Sequence, residues 1–193
     1  EYVRLPARNL ALFSSSVPYE KMAVLPDAVA TPFHVFNTLT DLGPGRSVLI
    51  VGAGGLGLSA VQIARTMGLR VFVADIKKEA LELAEKHGAE RIFDADADAA
   101  GERLCEEIRE AAGGNGVDMV LEGVGRRETL EWSLPSLKKD GSCVIMGYDA
   151  VNPVPFHLLH IHNNQWKILG AKVSTREELD RVVHLVEEGV IEP

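Results

Sequence analysis

The sequence has few cysteines, and they show no pairing pattern. Cys105 and Cys143 are the only two among 193 residues, they lie far apart, and no CxxC spacing occurs. The sequence therefore carries no disulfide framework. Because thiols stay reduced in the cytoplasm, we expect a cytoplasmic protein.

Long apolar runs and basic residues are scarce as well. No apolar run approaches the roughly 20 residues of a membrane-spanning helix, so we expect no membrane partner. There are 20 Lys and Arg against 28 Asp and Glu, which gives a net charge of −8. We do not expect nucleic acid as the main partner of such a chain, because phosphate binding requires a basic face. The 46% hydrophobic content excludes disorder as the main state.

From residue 45 onward, apolar runs of strand length alternate with helical patterns. The first run, SVLIV, is continuously apolar, which is typical of a strand buried on both faces. The alternation predicts an α/β fold, a Rossmann doubly wound six-stranded parallel sheet. Strands are predicted at residues 47–51, 70–74, 91–93, 117–121, 141–146 and 166–169, and helices at 56–67, 77–87, 101–112, 127–137, 157–163 and 175–188.

The first 45 residues are less regular. Short apolar runs at residues 2–5 and 10–13 predict two small strands. A helix is predicted over residues 28–42, and the sequence GPG at residues 43–45 ends it. The Asp/Ala run at residues 94–100 is predicted to be a loop or the lead-in to a helix.

A glycine-rich segment, GAGGLG at residues 52–57, directly follows the first buried strand and begins a helix. Gly52 would allow the tight turn, Gly54 would let the backbone approach a pyrophosphate, and Gly57 would allow close packing of the helix on the strand. The helix N-terminus adds free N–H groups and partial positive charge. This context predicts a dinucleotide-binding loop; the alternative is a glycine-rich turn with a purely structural reason.

Asp75 ends the second predicted strand, 18 positions after Gly57. A carboxylate at this place accepts hydrogen bonds from the adenosine ribose hydroxyls of NAD. The alternative is that Asp75 only caps the next helix, and Lys77 and Lys78 could attract the 2′-phosphate of NADP. Because like charges repel, Asp75 predicts a preference for NAD over NADP of about one to three powers of ten.

These segments resemble the zinc-dependent alcohol dehydrogenases of the medium-chain dehydrogenase/reductase superfamily. The resemblance is carried by VLIVGAGGLGLSAVQIARTMGLRVFVAD, GVDMVLEGVG, LKKDGSCVIMGY and WKILGAKVSTREELDRVVHLVEEG, and it covers nearly the whole chain. It implies an NAD-binding Rossmann domain over residues 26–193 and a remnant of a GroES-like catalytic domain over residues 1–25. The rest of that domain, with a Cys and a His-Glu pair, is not in this sequence, so we expect a fragment.

The resemblance also implies a metal ligand and a catalytic residue. Asp27 in DAVATPFH falls where the family has a Cys or Asp that binds zinc, and Thr31 falls where it has a Thr near the nicotinamide. An Asp oxygen is an acceptable zinc ligand, although Asp27 could instead cap the helix after Pro26. Because a catalytic zinc needs about three protein ligands, zinc is expected in the full-length protein only.

Further cofactor contacts are implied on the same basis. Leu56 would lie behind the nicotinamide ring, and the residues after the fourth and fifth strands would lie at the carboxyl edge of the sheet, where open α/β sheets bind ligands. The alternative for these loops is ordinary turn chemistry. Residues 168–171 resemble a strand that pairs across a dimer, so we expect a homo-oligomer. The cofactor-binding residues so predicted are Gly52, Gly54, Gly55, Leu56, Gly57, Asp75, Gly123, Val124, Gly125, Met146, Gly147 and Tyr148.

Histidines cluster in HLLHIH at residues 157–162, a composition that can bind transition metals. His157 and His160 share a helix face, but no acid or Cys is close in sequence to complete a site. His34, near Asp27 in sequence, is interpreted as a packing or hydrogen-bonding residue. We therefore expect no functional metal site at the cluster.

Together these features predict an oxidoreductase that transfers hydride between a small alcohol or carbonyl compound and NAD(H), with zinc as the Lewis acid in the full-length protein. Two alternatives stay open. One is a zinc-independent NADPH quinone or enoyl reductase of the same superfamily, against which Asp75 and Asp27 count. The other is a nucleotide-sensing module without catalysis.

Overall fold

A six-stranded parallel sheet forms the centre of the computed structural model, which describes residues 2–15, 17–96 and 101–193. The strands are β1 (Ser47–Val51), β2 (Arg70–Asp75), β3 (Arg91–Asp94), β4 (Val117–Glu122), β5 (Leu137–Ile145) and β6 (Lys167–Gly170). Their order is β3-β2-β1-β4-β5-β6, and all neighbouring pairs are parallel. This order confirms the predicted doubly wound Rossmann fold.

Helices cover both faces of the sheet. The helices are α1 (Tyr19–Ala23), α2 (Ala30–His34), α3 (Gly55–Thr66), α4 (Lys78–Lys86), α5 (Glu102–Ala111), α6 (Arg127–Ser133), α7 (Leu158–Asn164) and α8 (Arg176–Glu187). The first four and α8 pack on one face, whereas α5 and α6 pack on the other. Within the described ranges, none of them combines the length and apolar character needed to cross a membrane.

Strand β1 shows why the sheet forms from these residues. All five of its residues are buried. Because successive side chains point to opposite faces of a sheet, Val48 and Ile50 enter the apolar cluster under α3, whereas Leu49 and Val51 enter the cluster on the α5 face. A strand covered on both sides has no polar face, which explains the unbroken apolar run SVLIV.

The N-terminal segment differs from the prediction. The described residues form no strand at 2–5 or 10–13, and a 3₁₀ turn covers Ala7–Asn9 instead. Tyr2 and Leu12 are largely exposed. Ala11 and Phe13 do pack, partly buried, against the core. Neither run has a pairing strand among the described residues, so apolar composition alone does not make them strands.

The helix before β1 begins earlier than predicted. Residues 25–39 are continuously helical, with π-turns at Leu25–Val29 and Val35–Leu39 on either side of α2; we refer to them as the linking helix. Pro26 lies in its first turn, where a missing N–H is tolerated. The N-cap residue is Val24, so Asp27 lies inside the first turn, and its interpretation as a helix cap is wrong.

Strand β5 also begins earlier than predicted. Helix α6 ends at Ser133, and a 3₁₀ turn at Leu134–Ser136 replaces its predicted last turn, because Pro135 lacks the N–H that a continuing helix needs. The polar sequence KKDGS then belongs to the strand, which changes register against β4 and holds Asp140 at a φ of 60°. The loop predicted at residues 94–100 begins one residue later, because Asp94 is the last residue of β3. Residues 97–100 lie outside the described residues.

Candidate dinucleotide-binding site

The carboxyl ends of the six parallel strands meet at one edge of the sheet. The chain runs from β1 to β2 on one side and returns to β4 on the other, so a crevice opens beyond β1. The glycine loop leaves β1 at this crevice. Gly52 has a φ of +91°, and its N–H donates to Ala74 O at 2.8 Å, which anchors the loop to the end of β2.

The three motif glycines differ in what an added side chain would meet. A Cβ at Gly52 would lie 2.9 Å from Val124 Cγ2, in a backbone conformation that side chains rarely adopt. A Cβ at Gly57 would overlap Gly52 O, so this position needs glycine for the helix to approach the loop. A Cβ at Gly54 would meet nothing within 4 Å among the described residues. Two glycines are therefore explained by the fold, and Gly54 is not.

Helix α3 presents an open N-terminus beside that space. Gly54 is its N-cap residue and supplies no side-chain cap, and both Gly54 and Gly55 are exposed. A helical hydrogen bond at this end runs from Leu58 N–H to Gly54 O at 2.8 Å. The N–H groups of residues 55–57 thus belong to the turn that lacks intrahelical partners. Free N–H groups, partial positive charge and open space fit a pyrophosphate.

Asp75 connects the glycine loop to the end of β2. Its Oδ2 accepts the Ala53 N–H at 2.6 Å, and its Oδ1 accepts the Lys77 N–H at 2.8 Å. The carboxylate therefore shapes the loop and the turn before α4 at once. The N-cap residue of α4 is Lys77 and no side chain caps this helix, so the alternative that Asp75 is its cap is wrong. Each carboxylate oxygen has a second lone pair, so Asp75 retains capacity to accept the two ribose hydroxyls.

The loops after β4 and β5 reach the same edge and pack tightly against each other. Gly125 has a φ of +73°, and a Cβ there would overlap Gly147 O. A Cβ at Gly123 would lie 2.8 Å from Val51 O. Packing alone explains these glycines, so their contact with a cofactor stays a prediction. Met146 packs on the core beside them, whereas Tyr148 is 79% exposed.

Glu122, at the end of β4, is a residue of this site that the sequence analysis missed. It is fully buried, and its Oε1 accepts the N–H groups of Val124 and Gly125 at 2.9 and 3.0 Å. Burial raises the pKa of its carboxyl, and these hydrogen bonds oppose the rise. The sequence does contain a pattern that could have identified it, because Glu122 is an acidic residue placed directly after the buried strand sequence VDMVL.

The linking helix brings Asp27 and Thr31 toward this crevice. A Cβ added at Gly55 would lie 4.0 Å from Ala28 Cβ, so the first turn of the linking helix lies against the N-terminus of α3. Asp27 is exposed, and its Oδ1 accepts the Thr31 hydroxyl at 3.4 Å. Thr31 itself is buried. Both residues of the predicted metal and catalytic site therefore lie near the glycine loop.

The described part of the chain holds no group of three His, Cys, Asp or Glu residues that could bind a metal ion. Because a catalytic zinc needs about three protein ligands, the described residues alone do not fit a catalytic zinc site. The His157 and His160 rings do share a face, with centroids 4.4 Å apart.

His34 has a structural partner. Its Nδ1 lies 2.8 Å from Glu178 Oε2 on α8, which confirms the hydrogen-bonding interpretation of this histidine.

Comparison with known proteins agrees with this geometry. Residues 55–188 match the family described as zinc-binding dehydrogenase. An alcohol dehydrogenase of Geobacillus stearothermophilus is 29% identical over 99% of this chain and 54% of its own length. An NAD-dependent alcohol dehydrogenase of Sulfolobus acidocaldarius is 32% identical over 100% of this chain and 54% of its own length.

A crystal structure shows the same fold. The alcohol dehydrogenase of Aeropyrum pernix has 31% sequence identity and a TM-score of 0.80, covering 89% of this chain and 48% of that one. The chain spans about half the length of the relatives it matches. These matches confirm the predicted family. The chain belongs to the zinc-binding dehydrogenases, of which it is the nucleotide-binding part.

Proposed function

We propose that this chain binds NAD(H) within an alcohol dehydrogenase-like oxidoreductase. One observation carries the proposal: the open N-terminus of α3 faces open space at Gly54, and Asp75 stands at the next strand end. Free N–H groups suit the pyrophosphate, and the carboxylate suits the ribose. The relative from Sulfolobus acidocaldarius, described as an NAD-dependent alcohol dehydrogenase, supports this cofactor.

The proposed reaction is hydride transfer between a small alcohol or carbonyl compound and the nicotinamide ring, which supplies the redox chemistry when it is bound. The residues of this chain bind and orient. The glycine loop holds the pyrophosphate, Asp75 holds the adenosine ribose, and Leu56 with the loops after β4 and β5 borders the nicotinamide half. Thr31, on the linking helix, is proposed to lie near the nicotinamide.

Asp75 sets the proposed preference for NAD over NADP. A 2′-phosphate would bring negative charge next to the carboxylate, and at about 4 Å this repulsion costs up to ~4 kcal/mol before solvent screening reduces it. Lys77 and Lys78, which are exposed, are the residues that would favour NADP. The Lys77 backbone N–H donates to Asp75, so the turn fixes the carboxylate at the end of β2, where the ribose is proposed to bind.

Zinc binding is proposed for the longer protein only. Asp27 would be one ligand, and residues outside this sequence would complete the site. The boundary near residue 25 between a GroES-like catalytic part and the Rossmann domain belongs to the same proposal, and so do a cytoplasmic location and a homo-oligomer. Cys105 and Cys143 form no disulfide, which supports the cytoplasmic location, and the open edge of β6 supports the homo-oligomer.

The test is calorimetric titration of the natural protein with NADH and with NADPH at one fixed salt concentration. We expect NADH to bind at least about tenfold more tightly. Asp75→Ala should weaken NADH binding and reduce the preference. Asp94→Ala is the matched control, because Asp94 ends the neighbouring strand and accepts an N–H two residues on in the same way, from Asp96 at 3.0 Å.

The alternatives give different results in the same experiment. Equal affinities, or tighter NADPH binding, would contradict the role of Asp75 and favour the NADPH-dependent reductase. A natural protein that binds NADH but oxidises no primary, secondary or polyol alcohol would favour the nucleotide-sensing module. Absence of binding to either cofactor would overturn the proposal as a whole.

A further inference from the structure

Four backbone N–H groups from two different loops converge on one residue, Glu122. Its side-chain Oε1 accepts the N–H groups of Val124 and Gly125 at 2.9 and 3.0 Å. Its main-chain O accepts those of Met146 and Gly147 at 2.8 and 3.0 Å. The loops after β4 and β5 thus turn these donors toward the protein interior, where none of them is free to contact a ligand.

The main partners of the Glu122 side chain are the N–H groups of Val124 and Gly125, and the hydroxyls of Thr129 and Ser133 contribute less. Glu122 is completely buried, and its other oxygen, Oε2, accepts the Ser133 hydroxyl at 3.4 Å. A buried carboxyl without charged partners is costly to retain unless its hydrogen bonds compensate. No Lys or Arg forms an ion pair with it in the described residues. The two loop N–H groups are therefore its principal compensation.

The topology decides which half of a dinucleotide these loops would face. Asp75 stands on β2, on one side of the glycine loop, whereas β4 and β5 lie on the other side. A dinucleotide that lays its adenosine on β2 and its pyrophosphate on the loop extends its nicotinamide half toward β4 and β5. The nicotinamide carboxamide carries N–H donors, which require acceptors such as backbone carbonyl oxygens.

We propose that Glu122 is a positioning residue whose side chain turns the N–H groups of the loop after β4 inward, so that this loop offers carbonyl oxygens to the nicotinamide half of the cofactor. This inference rests on the proposed NAD(H) binding. Glu122 is proposed to touch neither cofactor nor substrate and to act through the loop after β4. Removing its acceptor oxygen frees the N–H groups of Val124 and Gly125 and lets the loop after β4 change shape, whereas an amide in its place retains an acceptor for both.

The experiment compares NADH with ADP-ribose, which lacks the nicotinamide ring, by calorimetry on the natural protein. For Glu122→Met, we expect NADH affinity to fall at least about tenfold, while ADP-ribose affinity changes by less than about twofold. Glu122→Gln should restore NADH affinity to within about threefold of the wild type. Glu131→Gln is the control, because Glu131 is an exposed carboxylate on α6 that pairs with Arg127, away from both loops.

The outcomes separate the inference from the proposed function. If the wild type binds neither ligand, the proposed function fails and the inference falls with it. If the wild type binds both and Glu122→Met weakens both equally, Glu122 only stabilises the fold, and the inference alone is overturned. Should Glu122→Met not fold by circular dichroism, Glu122→Leu takes its place, because a second apolar side chain of different shape also removes the acceptor oxygen. Unchanged NADH affinity in that variant would also overturn the inference.

Discussion

A side chain at Gly54 would meet no described atom of the protein within 4 Å, and the backbone there has a φ of −75° that any residue adopts. Gly54→Val should therefore leave the fold intact and fill the space that the pyrophosphate needs, with loss of NADH binding by about two powers of ten or more. Circular dichroism and calorimetry on the same sample check both halves of this expectation.

Gly43→Val is the matched control for Gly54→Val. Gly43 also has open space around its Cβ position, in the loop before β1, so this variant should fold and bind NADH as the wild type does. A folded Gly54→Val protein with undiminished NADH affinity would show that the loop does not hold the pyrophosphate. Gly57→Val should fail differently, by disturbing the fold, because its side chain would overlap Gly52 O.

Single residues also show what sequence reasoning reaches and where it stops. Gly54 and Asp75 were predicted, because a glycine motif after a buried strand and an acid at the next strand end are local patterns. Glu122 was missed, because its role depends on side-chain hydrogen bonds that form only when the loop after β4 folds back over the end of the strand. The alternative role for Asp27 was wrong because the linking helix starts two residues earlier than Asp27, a boundary that Pro26 does not reveal.

At the scale of elements, a buried acid joins α8 to the linking helix. Glu178 is 3% exposed and forms a capping box with Thr175 at the start of α8. Its carboxylate also accepts from Thr38 at 2.5 Å and Asn37 at 3.0 Å, and it lies beside His34. Burial alone would raise the pKa of Glu178, but these hydrogen bonds outweigh burial and lower it to about 2.

This shift predicts acid-sensitive stability. A carboxyl whose pKa falls from 4.5 to about 2 on folding stabilises the fold above pH 4.5 and loses that contribution as the pH falls toward 2. The contribution above pH 4.5 is on the order of 3 kcal/mol at most. Glu178→Gln should lower the free energy of unfolding at pH 7, and its difference from the wild type should shrink between pH 4.5 and pH 3 in urea titrations.

Glu177→Gln is the control for this experiment, because Glu177 lies in the same first turn of α8 but is exposed. It removes the same charge near the helix N-terminus without touching the buried cluster. A difference between wild type and Glu178→Gln that stays constant across this pH range would contradict the assigned pKa and leave only a packing role for Glu178.

The ends of strands were predicted well where they depend on the strand's own residues and poorly where they depend on pairing with another strand. The strands β1, β2 and β4 were predicted to within one residue, because their apolar runs are buried on both faces. The start of β5 was missed, since KKDGS has turn composition and becomes a strand only by pairing beside β4. The runs at residues 2–5 and 10–13 have strand composition without a pairing strand, so the prediction failed in the opposite direction.

At the scale of the whole molecule, the sheet leaves β6 open along one side. Strand β6 pairs only with β5 in the described sheet. The Ala171 N–H donates to Ile145 O at 2.9 Å, so by alternation the N–H groups of Ile168 and Gly170 point away from β5. An open edge of this kind is a template for pairing with another chain, and the preceding α7 exposes Leu158 and Leu159 as well.

The proposed homo-oligomer can therefore be tested at one outward-pointing N–H. Gly170→Pro removes that donor while leaving the bonds to β5 in place, and a Cβ there would meet no described atom within 4 Å. Sedimentation velocity should find the natural protein as an oligomer and Gly170→Pro shifted toward the monomer, with an unchanged circular dichroism spectrum. Gly170→Ala, which keeps the N–H, should sediment as the wild type does. Equal sedimentation of all three proteins as oligomers would mean that subunits meet on another surface, because the edge of β6 cannot pair across a proline at this position.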